Sequence, residues 1–164
     1  MEFIKKIIKF LANICYVLIL IYAVVEIPII FGYKPLIVLS GSMEPTYKIG
    51  SILYYKDVVK EELKVGDVIT FQLTDGTYIT HRINRIVENK YETKGDANEL
   101  PDVFKIDFKD VCGKVSSISI GYVGYYINFI NNHIYLVGVA VLILLSEFLL
   151  SNIRIFDIKK RGKE

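Results

Sequence analysis

Three residue types in the middle of the chain could together perform nucleophilic catalysis. Ser42 lies in a Ser-Gly-Ser turn, and His81 stands in a segment of alternating polar and apolar residues. Serine is a weak nucleophile at its own pKa and needs an adjacent base, which a histidine with a pKa of about 6.5 can supply. An aspartate on the other imidazole nitrogen would fix the tautomer and stabilise the imidazolium. Asp96 and Asp102, which lie in one acidic loop, are the candidates for that role.

Acyl transfer also requires hydrogen-bond donors that face the developing oxyanion. Ser40, two residues before Ser42, could supply a hydroxyl, and the backbone N–H groups of the turn could supply the others. Each feature has an ordinary alternative, because a Ser-Gly-Ser segment is commonly a solvated loop and a single strand histidine is commonly a surface group. An acidic loop is likewise a common surface turn. Residue types alone therefore leave both interpretations open.

Two apolar runs flank this central region. The first, 10–31, is interrupted by Asn13 and Glu26, and at about 1.5 Å per residue it is long enough to cross a hydrocarbon core about 30 Å thick. The second, 133–153, is near the lower length limit for a span. The composition is 52% hydrophobic and the mean hydropathy is +0.39, which favours a membrane protein. We expect 10–31 to be an uncleaved signal anchor, since no small-x-small site follows it.

Basic residues outside both apolar runs predict the orientation of the chain. They form a basic head at 1–9 and a basic tail at 154–164, so both termini are expected in the cytoplasm and residues 32–132 outside it. If 133–153 were instead a surface helix, the basic tail would lie outside, against the charge bias. The expected location is the cell membrane, with two spans and an extracytoplasmic catalytic domain.

Residues 32–132 have the texture of a β domain. Runs rich in β-branched and aromatic residues alternate with turn formers, which predicts strands at 49–55, 67–73, 77–86, 90–94 and 111–120. Hairpins are expected at 73–77, where Asp-Gly suits a tight turn, and at 88–90, with one helical turn at 60–64. The fold class is therefore mainly β, an antiparallel coiled or barrel-like sheet carried between two transmembrane helices.

Charge and cysteine content exclude several classes of function. Residues 33–132 hold 12 basic and 13 acidic residues without a basic stripe, so no nucleic-acid partner is expected. Cys15 and Cys112 have neither a second cysteine nor a histidine at metal-ligand spacing, and topology makes a bond between them implausible. We predict no metal, no cofactor and no structural disulfide.

Four segments in fixed order resemble the sequence boxes of type I signal peptidases. They are SGSMEPT at 40–46, GDVITF at 66–71, THRI at 80–83 and TKGDAN at 93–98. The resemblance covers roughly residues 10–120. The family has two branches, one with a Ser/Lys dyad and an archaeal and endoplasmic-reticulum branch with histidine in place of the lysine, and His81 resembles the second branch.

The resemblance implies a role for each candidate residue. It implies that Ser42 is the nucleophile, that His81 is the general base and that Ser40 contributes the oxyanion-hole hydroxyl. Asp102 matches the position that completes the triad, and Asp96 matches the Gly-Asp box that supports the site and is the alternative partner of His81. Pro101 departs slightly from the acidic or polar residue that the resemblance leads us to expect before Asp102. The resemblance therefore does not define the exact geometry of that loop.

The same resemblance implies the reaction and the partners. A serine endopeptidase of this family would cleave signal peptides from secretory preproteins at the outer membrane surface, after small residues. Membrane lipid, accessory subunits and a translocon are the other expected partners. Two different functions compete with this one: a non-catalytic, membrane-anchored β domain that binds or scaffolds, and a different intramembrane or self-cleaving serine protease, which would use a lysine in place of His81.

Overall fold

The computed structural model describes residues 2–161, with side chains described as far as residue 152. The chain divides into two units, Glu26–Asn128 on one hand and Met1–Val25 with Phe129–Glu164 on the other. The elements in chain order are α1 (Glu2–Ile30), β1 (Lys34–Ile37), β2 (Ile52–Lys56), a 3₁₀ turn (Lys60–Glu62), β3 (Val68–Gln72), β4 (Tyr78–Val87), β5 (Lys90–Lys94), β6 (Lys105–Ile106), a second 3₁₀ turn (Phe108–Asp110), β7 (Val111–Ile120), α2 (Val123–Asn132) and α3 (Tyr135–Arg161).

The strands form one curled, antiparallel sheet in the order β1-β2-β7-β3-β4-β5-β6. This confirms the mainly β, antiparallel class predicted for the central region. The five predicted strands correspond to β2, β3, β4, β5 and β7, and the predicted helical turn is the first 3₁₀ turn. Each predicted hairpin is also present: Gly76 has a φ of +88° in the first, and Glu88 and Asn89 have positive φ in the second.

The sequence interpretation missed two short strands. β1 contains Pro35, which has no N–H to donate and is therefore tolerated mainly at a sheet edge, where β1 lies. β6 is two residues long and pairs only through Tyr91↔Ile106 and Glu92↔Lys105. Neither strand is long enough to form the kind of β-branched and aromatic run from which the others were predicted.

The core lies on both faces of the sheet, because successive side chains of a strand point to opposite sides. Ile69 and Phe71 of β3 belong to one buried cluster, with Leu63, Ile83, Tyr91 and Ile106. Val68, next in sequence to Ile69, belongs to a second cluster, with Met43, Tyr47, Leu53 and Val115. Through Met43 and Tyr47 this second cluster anchors the Ser-Gly-Ser turn to the sheet.

α2 is a separate helix between β7 and α3 that was not predicted from the sequence. Its first turn packs on the segment before β2, where Gly124 N–H donates to the Gly50 carbonyl at 2.9 Å. Gly50 has a φ of +80°, and a Cβ there would lie 2.0 Å from the Tyr125 ring. Only glycine fits this position, and the close approach holds the end of the segment that carries Ser42.

Two helices of the described residues are long and apolar enough to cross a membrane, judged by length and composition. They are α1, with a mean hydropathy of 2.3, and Tyr135–Asn152 of α3, with 1.9. Most large apolar side chains of α1 are exposed, and no residue of 135–152 is buried. Both helices fit the expected spans at 10–31 and 133–153.

The two basic ends stand differently in the structure. α1 begins at Glu2, so residues 2–9 of the expected basic head at 1–9 form part of that helix. The expected basic tail at 154–164 has a helical backbone as far as Arg161, and its side chains and last three residues lie outside the described part of the chain.

Candidate active site

Ser42 lies in the connection between β1 and β2. The connection is closed at its base because Val38 N–H donates to the Ser51 carbonyl at 2.9 Å. Within it, Glu44 N–H donates to the Gly41 carbonyl at 3.0 Å and Tyr47 N–H to the Met43 carbonyl at 2.9 Å. The side chains of Met43 and Tyr47 are buried, and this hydrogen-bonded turn presents Ser42 at the surface of the sheet.

His81 extends from β4 towards this turn. It lies opposite Ile69 of β3 and is 7% exposed, so pairing with β3 and its own burial restrict the imidazole. Its Nε2 is 3.1 Å from the Ser42 Oγ. A hydroxyl and a ring nitrogen at this separation are in hydrogen-bond contact, and Nε2 can take the serine proton directly.

Asp102 lies on the other side of the imidazole. Its Oδ2 is 2.7 Å from His81 Nδ1, and its own N–H donates to the Thr93 carbonyl at 2.8 Å. The Thr93 hydroxyl also donates to Asp102 Oδ2, at 2.6 Å. An ionised carboxylate only accepts hydrogen bonds, so with Asp102 ionised the proton is on Nδ1 and Nε2 is left to accept from Ser42.

Asp96, the other aspartate of the loop, faces a cation. Arg82 Nε donates to its Oδ1 at 2.8 Å and Arg82 Nη2 to its Oδ2 at 2.7 Å, while the Thr46 hydroxyl donates to Oδ2 at 2.5 Å. The bidentate contact with Arg82 lowers the pKa of the Asp96 carboxyl below its usual value. The structure thus joins Asp96 to the Ser42 connection through Thr46, and brings Asp102, not Asp96, into contact with the imidazole.

The loop after β5 packs directly on the backbone of the Ser-Gly-Ser turn. Ala97 N–H donates to the Ser42 carbonyl at 2.9 Å. A Cβ at Gly95 would lie 2.5 Å from that same carbonyl oxygen and 3.0 Å from His81 Nε2. The absence of a side chain at Gly95 therefore allows Ser42, His81 and the acidic loop to approach one another.

Ser40 and an adjacent cavity complete the site. The Ser40 Oγ is 3.5 Å from the Ser42 Oγ, and Ser40 is exposed while Ser42 is half-buried. A cavity of about 730 Å³ opens beside them, between the segment 36–43 and the segment 76–81 of the β4 hairpin. Its lining is mostly apolar and includes Ser40, Ser42 and His81, so a ligand in the cavity would meet the reactive side chains.

Three residues that make these contacts received no individual role from the sequence. They are Thr46, Arg82 and Thr93, and each stands inside a family-like segment that also contains a residue that was singled out. That position was the only signal, because a threonine or arginine in a strand has many ordinary roles. Among the described residues, no group of three or more His, Cys, Asp and Glu side chains could hold a metal ion.

Comparison with known proteins identifies relatives of this chain. The family model for signal peptidase, peptidase S26, matches residues 7–97. Signal peptidase I W of Bacillus subtilis (strain 168) is 38% identical over 120 residues, which cover 63% of this chain and 63% of the relative. The signal peptidase complex catalytic subunit SEC11C of Homo sapiens and that of Canis lupus familiaris are each 30% identical over 110 residues, covering 59% of this chain and 57% of the relative.

The chain thus spans less than two thirds of the length of these curated relatives. The matched region, 7–97, is more than half of the 164 residues and includes Ser42, His81 and Asp96. Asp102 lies just beyond it. On this match, the chain belongs to the peptidase S26 family of signal peptidases.

Proposed function

We propose that this chain is a membrane-bound serine endopeptidase that removes signal peptides from secretory preproteins at the outer membrane surface. The observation that carries the proposal is the hydrogen-bonded series Ser42 Oγ, His81 Nε2, His81 Nδ1 and Asp102 Oδ2, with separations of 3.1 and 2.7 Å. The chain belongs to the signal peptidase family, and in a peptidase such a series activates the serine for attack on a peptide bond. The branch with a histidine base is therefore the one that this chain resembles.

Each member of the series has a defined step in peptide hydrolysis. His81 Nε2 takes the proton of Ser42 as Oγ attacks the scissile carbonyl carbon, and then gives that proton to the leaving amine. Asp102 holds Nδ1–H and stabilises the imidazolium formed in between. In the second half of the reaction, His81 Nε2 takes a proton from water as the water attacks the acyl-enzyme. It then gives that proton to the Ser42 Oγ, and Ser42 is regenerated.

The oxyanion of the tetrahedral intermediate requires its own donors. We assign the Ser40 hydroxyl and the Ser42 backbone N–H to this role, because both lie in the same turn as the nucleophile. Donors fixed before the reaction stabilise developing charge without reorganising at the moment of attack. Asp96 then serves a supporting role through Arg82 and Thr46 and keeps the turn in place.

The substrate is proposed to lie in the 730 Å³ cavity as an extended peptide. β1, one wall of that cavity, is an edge strand, and an extended peptide can pair with the free edge of a sheet. The lining of the cavity is mostly apolar, and the family's cleavage after small residues at the first and third positions before the cut implies shallow apolar subsites within it.

The proposed topology delivers this site to its substrate. Ser42 is 11 residues beyond Phe31, so at about 3.3 Å per residue it lies within about 36 Å of the end of the first apolar run. A signal peptide is cut a few residues past its own apolar core, at the same surface. We infer a cell-membrane protein with both termini in the cytoplasm. We also infer accessory subunits as partners, because two relatives are named as subunits of a complex.

A cleavage assay tests the proposal against its alternatives. The purified full chain in detergent micelles is incubated with a secretory preprotein, and with a variant preprotein that has bulky residues at the two specificity positions. Ser42→Ala and His81→Ala are each expected to reduce cleavage by about 10⁴-fold or more, since the residues act as one unit. Ser117→Ala, at an exposed serine of β7, is the matched control and is expected to cleave normally.

Each alternative predicts a different result in the same assay. If the wild-type chain does not cleave, the non-catalytic scaffold is favoured. If Ser42→Ala is inactive but His81→Ala cleaves normally, a serine protease with a lysine base is favoured. If both variants cleave like the wild type, the proposed function is wrong.

A further inference from the structure

Thr93 is a buried polar residue that the proposed reaction does not use directly. It lies in β5, opposite Ile83 of β4, and is 0% exposed. We propose that Thr93 is a positioning residue, which fixes the carboxylate of Asp102 so that its Oδ2 receives His81 Nδ1–H. This inference rests on the proposed function and deepens it.

Thr93 holds Asp102 at two points. Its hydroxyl donates to Asp102 Oδ2 at 2.6 Å, and its carbonyl accepts from Asp102 N–H at 2.8 Å. The second contact locates the backbone of a residue that stands in irregular chain between β5 and β6. The first prevents the carboxylate from rotating about its own side-chain bonds. Together they determine both where the carboxylate is and which way it faces.

The burial of the hydroxyl gives the contact its strength. A buried hydroxyl without a partner is costly, so burial favours the contact of the Thr93 hydroxyl with Asp102 Oδ2. Its single proton goes to the same oxygen that receives His81 Nδ1–H, at 2.7 Å. The oxygen that faces the imidazole is therefore the oxygen that the strand residue fixes.

A neutral donor suits this position better than a cation would. When Ser42 gives up its proton, the imidazole becomes positive, and Asp102 stabilises that charge. An arginine bound to Asp102, as Arg82 is to Asp96, would compensate the carboxylate in advance and would repel the imidazolium. A threonine hydroxyl orients the carboxylate and adds no charge.

The test compares variants of the full chain in detergent micelles with a secretory preprotein as the probe. Thr93→Val removes the hydroxyl and keeps the shape, and it is expected to lower kcat about 10- to 100-fold with KM changed less than about threefold. Thr93→Ala removes the hydroxyl without placing a methyl group against the carboxylate and is expected to give the same split. Thr93→Ser keeps the hydroxyl and is expected to restore kcat to within about fivefold of wild type.

A spectroscopic measurement separates positioning from a structural role. The low-field proton resonance of His81 Nδ1–H reports the hydrogen bond to Asp102, and it is expected to shift or broaden in Thr93→Val and to return in Thr93→Ser. Thr70→Val is the control, because Thr70 is equally buried and its hydroxyl is bonded to that of Thr80 at 2.9 Å, away from the acidic loop. It is expected to lower the unfolding temperature and to leave kcat and the resonance unchanged.

Two results would overturn the inference. One is a kcat for Thr93→Val or Thr93→Ala that falls no further than that of Thr70→Val. The other is an unaltered Nδ1–H resonance in both Thr93 variants. Because Ser42→Ala is measured in the same assay, an active Ser42→Ala enzyme would overturn the proposed function, whereas an inactive one beside a fully active Thr93→Val would overturn only the role of Thr93.

Discussion

The two carboxylates of the loop after β5 are similarly enclosed but differently partnered. The side chains of Asp102 and Asp96 are 10% and 15% exposed, so burial does not distinguish them. Asp102 is bound by an imidazole and a neutral hydroxyl, whereas Asp96 is bound by a guanidinium and a hydroxyl. The difference therefore lies in their chemical partners and not in their burial. Asp102 can stabilise an imidazolium, whereas Asp96 is already paired with a cation and has a structural role.

Replacement of the two aspartates gives the largest expected contrast. Asp102→Ala is expected to lower kcat by about 10³- to 10⁴-fold, because His81 loses the acceptor that fixes its tautomer and stabilises its charge. Asp96→Ala is expected to lower kcat only about tenfold, through displacement of the Ser42 turn. Preprotein cleavage under single-turnover conditions measures both. Equal activity of Asp102→Ala and wild type would remove Asp102 from the proposed triad, and a greater loss in Asp96→Ala would reverse the assignment.

A substitution at Gly95 tests the close packing of the loop that carries both aspartates on the Ser42 turn. Gly95→Ala would place a Cβ 2.5 Å from the Ser42 carbonyl oxygen, so the loop or the turn must move. A displacement of about 1 Å at a reacting group can cost about 10²-fold in rate, and we expect a loss of this size in kcat.

Gly121→Ala is the matched control for this substitution. A Cβ at Gly121 meets no atom within 4 Å, and its activity is expected to stay near wild type. If Gly95→Ala and Gly121→Ala cleave equally well, close packing of the loop on the Ser42 turn does not matter for catalysis.

The sequence was most informative about the sheet and least informative about which residues touch. β2, β3, β4, β5 and β7 were predictable because they are runs rich in β-branched and aromatic residues that end at turn formers. β1 and β6 were not, since four and two residues are too short to stand out as such a run. The separate helix α2 depends on tertiary packing against Gly50, which no local pattern records.

The contacts of the two aspartates show the same limit within the site. Family-like segments contain Ser42, His81 and Asp96, and Asp102 follows in the same acidic loop, but spacing along the chain does not say which carboxylate meets the imidazole. That depends on the loop folding back so that Asp102 N–H reaches the Thr93 carbonyl. It depends also on the register of β4 on β5, which shifts between Ile83 and Arg85, and an irregularity of this kind leaves no signal in hydrophobic alternation.

The smallest expected effect concerns the pH dependence of stability contributed by Asp96. Arg82 lowers the pKa of Asp96 in the folded chain, so the pair stabilises the fold above the unfolded pKa of about 3.9, and this contribution is lost as pH falls through the lower folded value. Asp96→Asn is therefore expected to unfold at a lower temperature than wild type at pH 7, and the difference is expected to shrink towards pH 3. Thermal unfolding followed by circular dichroism in detergent measures both.

A double-mutant cycle with Arg82→Gln assigns that stabilisation to the pair itself. If Asp96 and Arg82 act on each other, the double variant is expected to be less destabilised at pH 7 than the sum of the two single variants. Because the pair is partly exposed, with 37% of the Arg82 side chain accessible, salt is expected to reduce the coupling. If the two effects are additive at both pH values, Asp96 supports the Ser42 turn through Thr46 and not through the ion pair with Arg82. The charge of Arg82 would then no longer distinguish Asp96 from Asp102, since each carboxylate also accepts from a neutral threonine hydroxyl.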